Sequence, residues 1–500
     1  MTANLYTAEQ VRKLDRIAIE DNGVNGFQLM KKAARFAFHT LVKQWPTCNR
    51  IHVICGGGNN AGDGYILAGI AKKRGFDVKL HYISPPENLK HDALLAYKYS
   101  QETNISCKPF SSDSINILST DKPFIIIDAM LGTGLHSEVT GHYKKAILLC
   151  NKSTAPILAI DIPSGLSANT GHPLGAAIKA ECTATFIGIK QGMLTGAGRN
   201  YCGDIFYDDL DITADIYDQV PFSAKKLNIN KVLKLIKPRE LHAHKGLYGH
   251  VLLIGGDHGY GGAILMAAEA AARMGAGLVS VVTQPEHVTA LLSRQPEVMV
   301  KAVTNTDFLL PLLEQANVIV IGPGLGQSDW SEQMLHCALK SKKIIILDAD
   351  ALNLLCKKPK WLTHSDHILC PHPGEAARLL DLPTSSIQKD RFEAVKAMQQ
   401  KWGGSILLKG SGSLISHSNG SINLCPYGNP GMASGGMGDV LSGILGGLIA
   451  QGLSKENALD LAVCLHARAA DIAADENGQR GLLATDLIPI ARLLLNNKIN

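Results

Sequence analysis

The sequence predicts two α/β domains in tandem, each built on a mainly parallel sheet with helices on both faces. Three observations carry this expectation. Short apolar runs alternate with segments of helical period through the first part of the chain. The alternation stops in the polar stretch Asp208 to Asn230 and then resumes. In both parts glycine-rich turns follow apolar runs, which is where an open parallel sheet binds its ligands. The domains are expected to span residues 1–215 and 226–500.

Elements follow from local pattern. Thr7 with Gln10 fits a capping box, and Val11, Leu14, Ile17 and Ala18 recur at helical spacing, so the chain is expected to open with an amphipathic helix. A second helix follows over Gln28 to Trp45. Ile51 to Cys55 reads as a strand running into GGGNNAGDG, after which Ile66, Leu67, Ile70 and Ala71 restore a helical period. Further strands are expected at Val78 to Ile83, Phe124 to Asp128, Ile157 to Asp161 and Thr183 to Ile187. Beyond the boundary the same reading gives strands at His250 to Ile254, Leu278 to Val282, Val318 to Ile321, Ile344 to Asp348, His367 to Leu369 and Ile406 to Lys409. Leu414 to Ile415 and Ile422 to Leu424, joined by HSNG, read as a hairpin at one edge. Helices over Asp439 to Gln451 and Lys455 to Asp475 close the second domain.

Bulk composition removes several classes of function. With 46% apolar and 19% charged residues over 500 positions, the chain can fill its cores. A net charge of +5, without a block of five basic residues, argues against nucleic acid as a partner. The longest apolar helical segment, Val440 to Ala450, is interrupted by Ser442 and three glycines and is too short for a bilayer, so no membrane role is expected. Eleven cysteines without a CxxC pair, behind an N-terminus lacking an apolar signal segment, point to a reducing cytoplasm.

The chemistry-bearing residues sit at strand ends. In GGGNNAGDG, Gly56 to Gly64, Asn59 and Asn60 stand inside the turn, which separates it from the dinucleotide pattern GxGxxG. Their side-chain oxygens could ligate a hard cation or ribose hydroxyls, or the turn could simply need Gly and Asn for positive φ. Asp128 and the pair Asp161 and Ser164 follow two further apolar runs, so three strand ends would converge on one crevice. An Asp in this position also serves as a helix cap. In Gly428 to Gly443, GNPGMASGGMGDVLSG, glycine amides at a helix start offer an anion cradle, and Asp439 can take a proton beside it. Capping of its own helix is the alternative for Asp439. Lys409 to Ser413, KGSGS, could wrap nucleotide phosphates, or serve only as a hairpin turn. His372 in CPHPGE lies in a loop before a helix, which favours ligand contact over core packing. Asp348 and Asp350 remain open between a magnesium-bound phosphate and a helix cap.

The motifs HKGLYGHVLLIGG from His244, YGGA from Tyr260, IGPGLG from Ile321, LDADALN from Leu347, HPGE from His372, KGSGS from Lys409 and GGMGDVLSG from Gly435 occur in this order. Together they make residues from about Asn228 to Leu495 resemble the ribokinase-like, ADP-dependent NAD(P)H-hydrate dehydratase domain. Residues from about Leu5 to Leu210 resemble the NAD(P)H-hydrate epimerase domain, whose motif is close to GNNGGDG, with Ala61 replacing a glycine. The resemblance implies a Rossmann-like three-layer parallel sheet followed by a ribokinase-like α/β/α domain. It implies that Asn59, Asn60, Ala61, Gly62 and Asp63, with Gly132, Thr133, Gly134, Leu135, His136, Ser137 and Glu138, line the hydrated nucleotide. Asn60, Asp128 and Ser164 would hold a potassium ion (K+), and Asp161 would contact the substrate as acid/base. In the second domain it implies that Ala263, Gly324, His372 and Asp439 contact the hydrated nicotinamide nucleotide, with Asp439 as catalytic base. Lys409, Gly410, Ser411, Gly412, Ser413 and Gly438 would bind the adenine nucleotide, expected as ADP with Mg2+.

The function so implied is repair. The first domain would interconvert the R and S forms of NADHX and NADPHX, and the second would dehydrate the S form while ADP becomes AMP and phosphate. A homo-oligomer is expected. Two alternatives stand beside this. GGMGD alone fits a vitamin-precursor kinase of the ribokinase class carrying an N-terminal nucleotide-binding module, and the first domain could be a binding module without catalysis.

Overall fold

The computed structural model describes residues 4–111 and 123–499. Two compact α/β units meet in sequence between Lys225 and Lys226. The first contains β1 (Asn4–Tyr6), β2 (Arg50–Cys55), β3 (Asp77–Tyr82), β4 (Cys107–Pro109), β5 (Ile125–Ala129), β6 (Ile157–Ile160), β7 (Cys182–Phe186), β8 (Ile189–Lys190), β9 (Asp204–Asp208) and the start of β10 (Ala224–Lys226). Seven of these form one sheet in the order β4-β3-β2-β5-β6-β7-β9, with every neighbouring pair parallel. Its central strands are nearly continuous apolar runs because helices cover both faces. Ile51, Val53 and Cys55 of β2 face the core shared with helices Gly26–Gln44 and Asn59–Lys73, while Ile54 faces the core shared with helix Gly141–Cys150.

Several local expectations need correction. The chain opens on a strand, β1, which pairs in parallel with β8 and antiparallel with β10, before the capped helix Ala8–Arg16. Three residues are too few to show a period. Asn59 and Asn60 do not stand inside the turn; they are the first two residues of helix Asn59–Lys73. The polar stretch after Asp208 is not irregular throughout, for it holds helix Ala214–Asp218 and β10. Strands β4 and β9, like β13 (Met299–Ala302) of the second unit, escaped the sequence reading because they lie at sheet edges, partly exposed and without an apolar run.

The second unit carries β11 (His250–Ile254), β12 (Leu278–Thr283), β13, β14 (Val318–Ile321), β15 (Ile344–Leu347), β16 (His367–Leu369), β17 (Ser405–Leu408), β18 (Leu414–Ser416) and β19 (Ile422–Leu424). They lie in the order β13-β12-β11-β14-β15-β16-β17-β18-β19. Strands β13 through β17 in that order are parallel, and β18 and β19 add the antiparallel hairpin at their edge. Helix Met437–Ala450 lies against helix Gly261–Arg273 so closely that a Cβ on Gly443 would stand 2.1 Å from the Ala267 carbonyl oxygen. Gly443, Gly446 and Gly447 are therefore packing residues of the helix that carries Asp439 in its first turn. No helix among the described residues is long and apolar enough to cross a membrane. All eleven cysteines are unpaired thiols.

Candidate active sites

In the first unit the loop after β5 draws three strand ends together. Asn60 donates its amide N–H to the Leu131 carbonyl at 3.1 Å, and the Leu131 N–H donates to Ser164 Oγ at 2.8 Å. Ser164 in turn donates its hydroxyl to Asp128 Oδ1 at 2.6 Å and its backbone N–H to Asp128 Oδ2 at 2.8 Å. Asn60, Asp128 and Ser164 are thereby gathered around Leu131. A Cβ on Gly132 would lie 3.3 Å from Asn60 Cβ and 3.5 Å from Asp161 Oδ2, so the same glycine borders Asp161. Helix Asn59–Lys73 begins at Gly58 without a side-chain cap, which leaves its first amides open to an anion.

The other residues expected here divide by exposure. Asn59, Gly134, His136, Ser137 and Glu138 are exposed, and Thr133, Leu135 and Asp63 are half-buried. Arg12, which the sequence reading passed over, reaches the Thr133 carbonyl and His136 Nε2 at 3.4 Å each. Ala61 and Gly62 are buried, and a Cβ on Gly62 would press on Met30 Sδ at 2.6 Å. These two can meet a ligand only through their backbone.

Asp161 follows β6 with φ +67, a left-handed conformation uncommon for a residue with a Cβ. Its N–H donates to the Ala184 carbonyl at 2.7 Å, and its Oδ1 accepts from Lys190. Lys190 is fully buried and was missed, because one lysine in the apolar run IGIKQGM carries no spacing signal. Burial, then the charges of Asp161 and Asp15, hold the Asp63 carboxyl well above the usual range against the pull of Lys190. Asp15 is pushed up to about 6 by burial and then by Asp161 and Asp92. Burial also raises Asp128 to about 6, opposed by its hydrogen bonds from Ser164 and Met130.

The oxygens around Leu131 suit a hard monovalent cation: an amide, a carboxylate, a hydroxyl and a carbonyl, with no sulfur or imidazole among them. Asn60 Oδ1 is buried and has no hydrogen-bond partner among the described residues, which is the kind of orphaned donor atom an ion would satisfy.

In the second unit Asp439 is the third residue of helix Met437–Ala450, entered through Gly436 at φ +87. That helix has no side-chain cap, so capping does not account for Asp439. The loop before it is braced from helix Lys455–Asn477, where Asp471 accepts from the Gly428 N–H and from Asn429 Nδ2 at 3.0 Å each. Burial first, then the nearby Asp348 and Asp350, push Asp439 up to about 7, with Lys409 acting in the opposite direction.

Lys409 leaves β17 with its Nζ 2.5 Å from Asp348 Oδ1 and 3.9 Å from Glu375 Oε2. Burial draws its proton affinity down, but the two carboxylates outweigh burial and hold it above the ordinary lysine value. A Cβ on Gly438 would lie 3.2 Å from that Nζ, so Lys409 and Gly438 meet at the start of the Asp439 helix. Asp348 caps helix Ala349–Lys357, one of the two roles the sequence left open for it, and its Oδ2 accepts from Ser442 Oγ at 2.6 Å. Asp350 accepts from the Gly326 N–H at 3.0 Å and from Asn353 at 3.1 Å.

Residues Gly410 and Gly412 take φ +132 and +62, and Ser413 Oγ donates to the Gly410 carbonyl at 3.0 Å. Buried Arg391 stiffens the turn by donating to the Leu408 and Lys409 carbonyls at 3.2 Å each. Gly410 and Ser411 are exposed. His372 is more tied down than its loop position suggests: Nδ1 accepts from the Gly374 and Glu375 amides, capping helix Pro373–Leu380. Its Nε2 lies 3.3 Å from Glu375 Oε1, and about half of the ring, 52%, stays exposed. Burial and the charge of Lys409 lower its proton affinity, and because Nδ1 accepts two amides the ring proton belongs on Nε2. Ala263 and Gly324 meet at the ends of β11 and β14, where a Cβ on Gly324 would stand 3.1 Å from Ala263 Cβ. One turn further along the same helix, Met266 covers Gly436, which joins this pair to the Asp439 loop.

Residues 26–192 match the family described as YjeF-related protein N-terminus, and residues 251–492 match NAD(P)H-hydrate dehydratase. The chain is 45% identical over 492 residues to the bifunctional NAD(P)H-hydrate repair enzyme Nnr of Coxiella burnetii, covering 98% of this chain and 99% of that protein. It is 40% identical over 499 residues to the enzyme of the same name from Escherichia coli, covering 99% and 94%. Among solved structures, a ribokinase-like superfamily protein from Enterococcus faecalis is 33% identical and superposes with a TM-score of 0.51 over 54% of this chain and 95% of its own. Two catalytic-type strand-end clusters in two α/β units, two family matches in the same order and full-length likeness to such enzymes lead to one conclusion: the chain belongs to the family of bifunctional NAD(P)H-hydrate repair enzymes.

Proposed function

We propose that residues 1–215 interconvert the R and S forms of NADHX and NADPHX, and that residues 226–500 dehydrate the S form while ADP becomes AMP and phosphate. Hydrated NAD(P)H carries a hydroxyl on C6, beside the ring nitrogen. When a proton is supplied to that hydroxyl it leaves as water, the nitrogen lone pair forms an iminium, and water can return to either face. Asp161 gives and retrieves that one proton, from the oxygen facing Gly132. The open amides at Asn59 and the loop Gly132 to Glu138 hold the nucleotide. Potassium on Asn60, Asp128 and Ser164 would fix that loop and add positive charge near the phosphates.

Dehydration needs a better leaving group than hydroxide. Asp439 takes the proton of the C6 hydroxyl as the terminal phosphoryl group of ADP moves onto its oxygen and AMP departs. Phosphate then leaves with the C–O electrons as the ring nitrogen supplies its lone pair, and the C5 proton passes to the departed phosphate, restoring the dihydronicotinamide. Lys409 and the amides around Gly438 stabilise the moving phosphoryl group, with Gly410 to Ser413 wrapping the nucleotide. Asp350 would meet Mg2+ carried in by ADP, which would supply charge neutralisation. Ala263, Gly324 and His372 border the acceptor nucleotide.

The observation that carries the reading is Asp439, a carboxylate in the first turn of a helix it does not cap, whose proton affinity lies near neutrality beside the half-buried Lys409. Asp439→Ala tests it. Dehydration should be lost while ADP still binds by calorimetry, and retained turnover would contradict the role of Asp439 as base. Assembly into a homo-oligomer belongs to the same reading. Exposed leucines 235, 241 and 247 on one segment support it, and sedimentation tests it. The unpaired thiols support a reducing, cytoplasmic setting.

A further inference from the structure

We infer that Lys190 is the positioning residue of the first site, holding Asp161 by one carboxylate oxygen so that the other is presented at Gly132. The inference rests on the reading of Asp161 as acid/base group.

An ammonium has three hydrogens to give. Lys190 Nζ has three acceptors around it: Asp161 Oδ1, Thr185 Oγ1 at 2.9 Å and the Phe186 carbonyl at 3.3 Å. The side chain is fully buried, so no hydrogen is left over for a ligand or for water. This saturation excludes Lys190 as a proton donor to substrate and leaves it one task, which is to orient its partner. The two Asp161 oxygens are divided accordingly. Oδ1 is engaged by Lys190, whereas Oδ2 is the atom 3.5 Å from the Cβ position of Gly132.

Backbone geometry makes such an anchor necessary. Asp161 sits at φ +67, and its own N–H is held by the Ala184 carbonyl of β7, the strand that also supplies Thr185 and Phe186 to Lys190. Strand β7 thus fixes Asp161 from both its backbone and, through the lysine, its side chain. The surrounding charge acts alongside this anchor: Asp161 raises the proton affinity of Asp15 in helix Ala8–Arg16 and of Asp63 in helix Asn59–Lys73, and Lys190 offsets it at both. A buried ammonium is costly to desolvate, and an apolar side chain of the same length would pack without that cost. The presence of a charge here is accounted for by what it does to Asp161.

The test follows conversion of the R form to the S form, separated by chromatography, for Asp161→Asn, Lys190→Met and Thr185→Val. Lys190→Met should lower kcat by about tenfold or more with KM within about twofold of wild type, since orientation of the acid/base group is lost and nucleotide contacts are not. Thr185→Val, which removes one anchor of the ammonium without touching Asp161, should lower kcat in the same direction by a smaller factor. It decides the matter if Lys190→Met fails to fold. Wild-type kcat in both folded variants, or a raised KM with kcat unchanged, overturns the positioning role. If Asp161→Asn itself keeps wild-type turnover, the acid/base reading fails instead; if Asp161→Asn is inactive while the other two are normal, only the role of Lys190 falls.

Discussion

Asp439 illustrates what one residue can be asked to do. In the folded chain it keeps its proton up to about pH 7, whereas the unfolded chain releases it near the ordinary value of 3.8. Its contribution to stability is therefore complete below that ordinary value and is lost as pH rises through about 7. Two results should follow. The dehydration rate should rise with pH along a limb centred near 7, because only the ionised base can accept the hydroxyl proton. Asp439→Asn should melt higher than wild type at about pH 8 and lose that advantage as pH falls toward about 4, where both side chains are neutral. A gap that does not change with pH would contradict the assignment. At the first site, Asp161→Ala should slow R-form consumption by about 10²–10⁴, read in the same chromatographic assay. Asp161 and Asp439 were legible because an acid directly after an apolar run or a glycine turn is a visible pattern. Lys190 and the pairing of Lys409 with Asp348 and Glu375 were not, since each depends on a partner that only the sheet brings near. The Lys190 and Asp161 pair is separated by 29 residues, and Lys409 and Asp348 by 61.

At the scale of elements, glycine content decides where the second site forms. Helix Met437–Ala450 carries Gly443 against the Ala267 carbonyl at 2.1 Å from its Cβ position, and Gly446 at 2.7 Å from Val320 of β14. A methyl group at Gly443 must push two helices apart, so Gly443→Ala should destabilise the protein by about 1–3 kcal/mol in denaturant unfolding. Dehydration should fall with it because Asp439 rides on the displaced helix. Unchanged stability would show that the contact yields without cost. The buried parallel strands were readable from their apolar runs, Ile125–Ala129 and Val318–Ile321 being buried along their whole length. Edge strands such as Met299–Ala302 were not readable, because a half-exposed strand of four residues has neither run nor period. Likewise Asn59 and Asn60 read as turn residues by propensity, yet the uncapped start of a buried helix overrides that preference.

Across the whole molecule the same architectural rule is used twice. Parallel sheets bring their carboxyl ends to one side, and each unit gathers an acidic group, a lysine ion-paired to a carboxylate and uncapped helix amides there. In the proposed function the two sites would handle successive fates of one compound, the second dehydrating the S form that the first supplies from the R form. The most direct measurement is recovery of reduced-nicotinamide absorbance from each epimer of hydrated NADH, with ADP present, by wild type, Asp161→Ala and Asp439→Ala. Wild type should restore the absorbance from both forms, Asp161→Ala rapidly from the S form alone, and Asp439→Ala from neither. Failure of the wild-type chain to restore the absorbance from the S form with ADP would contradict the account.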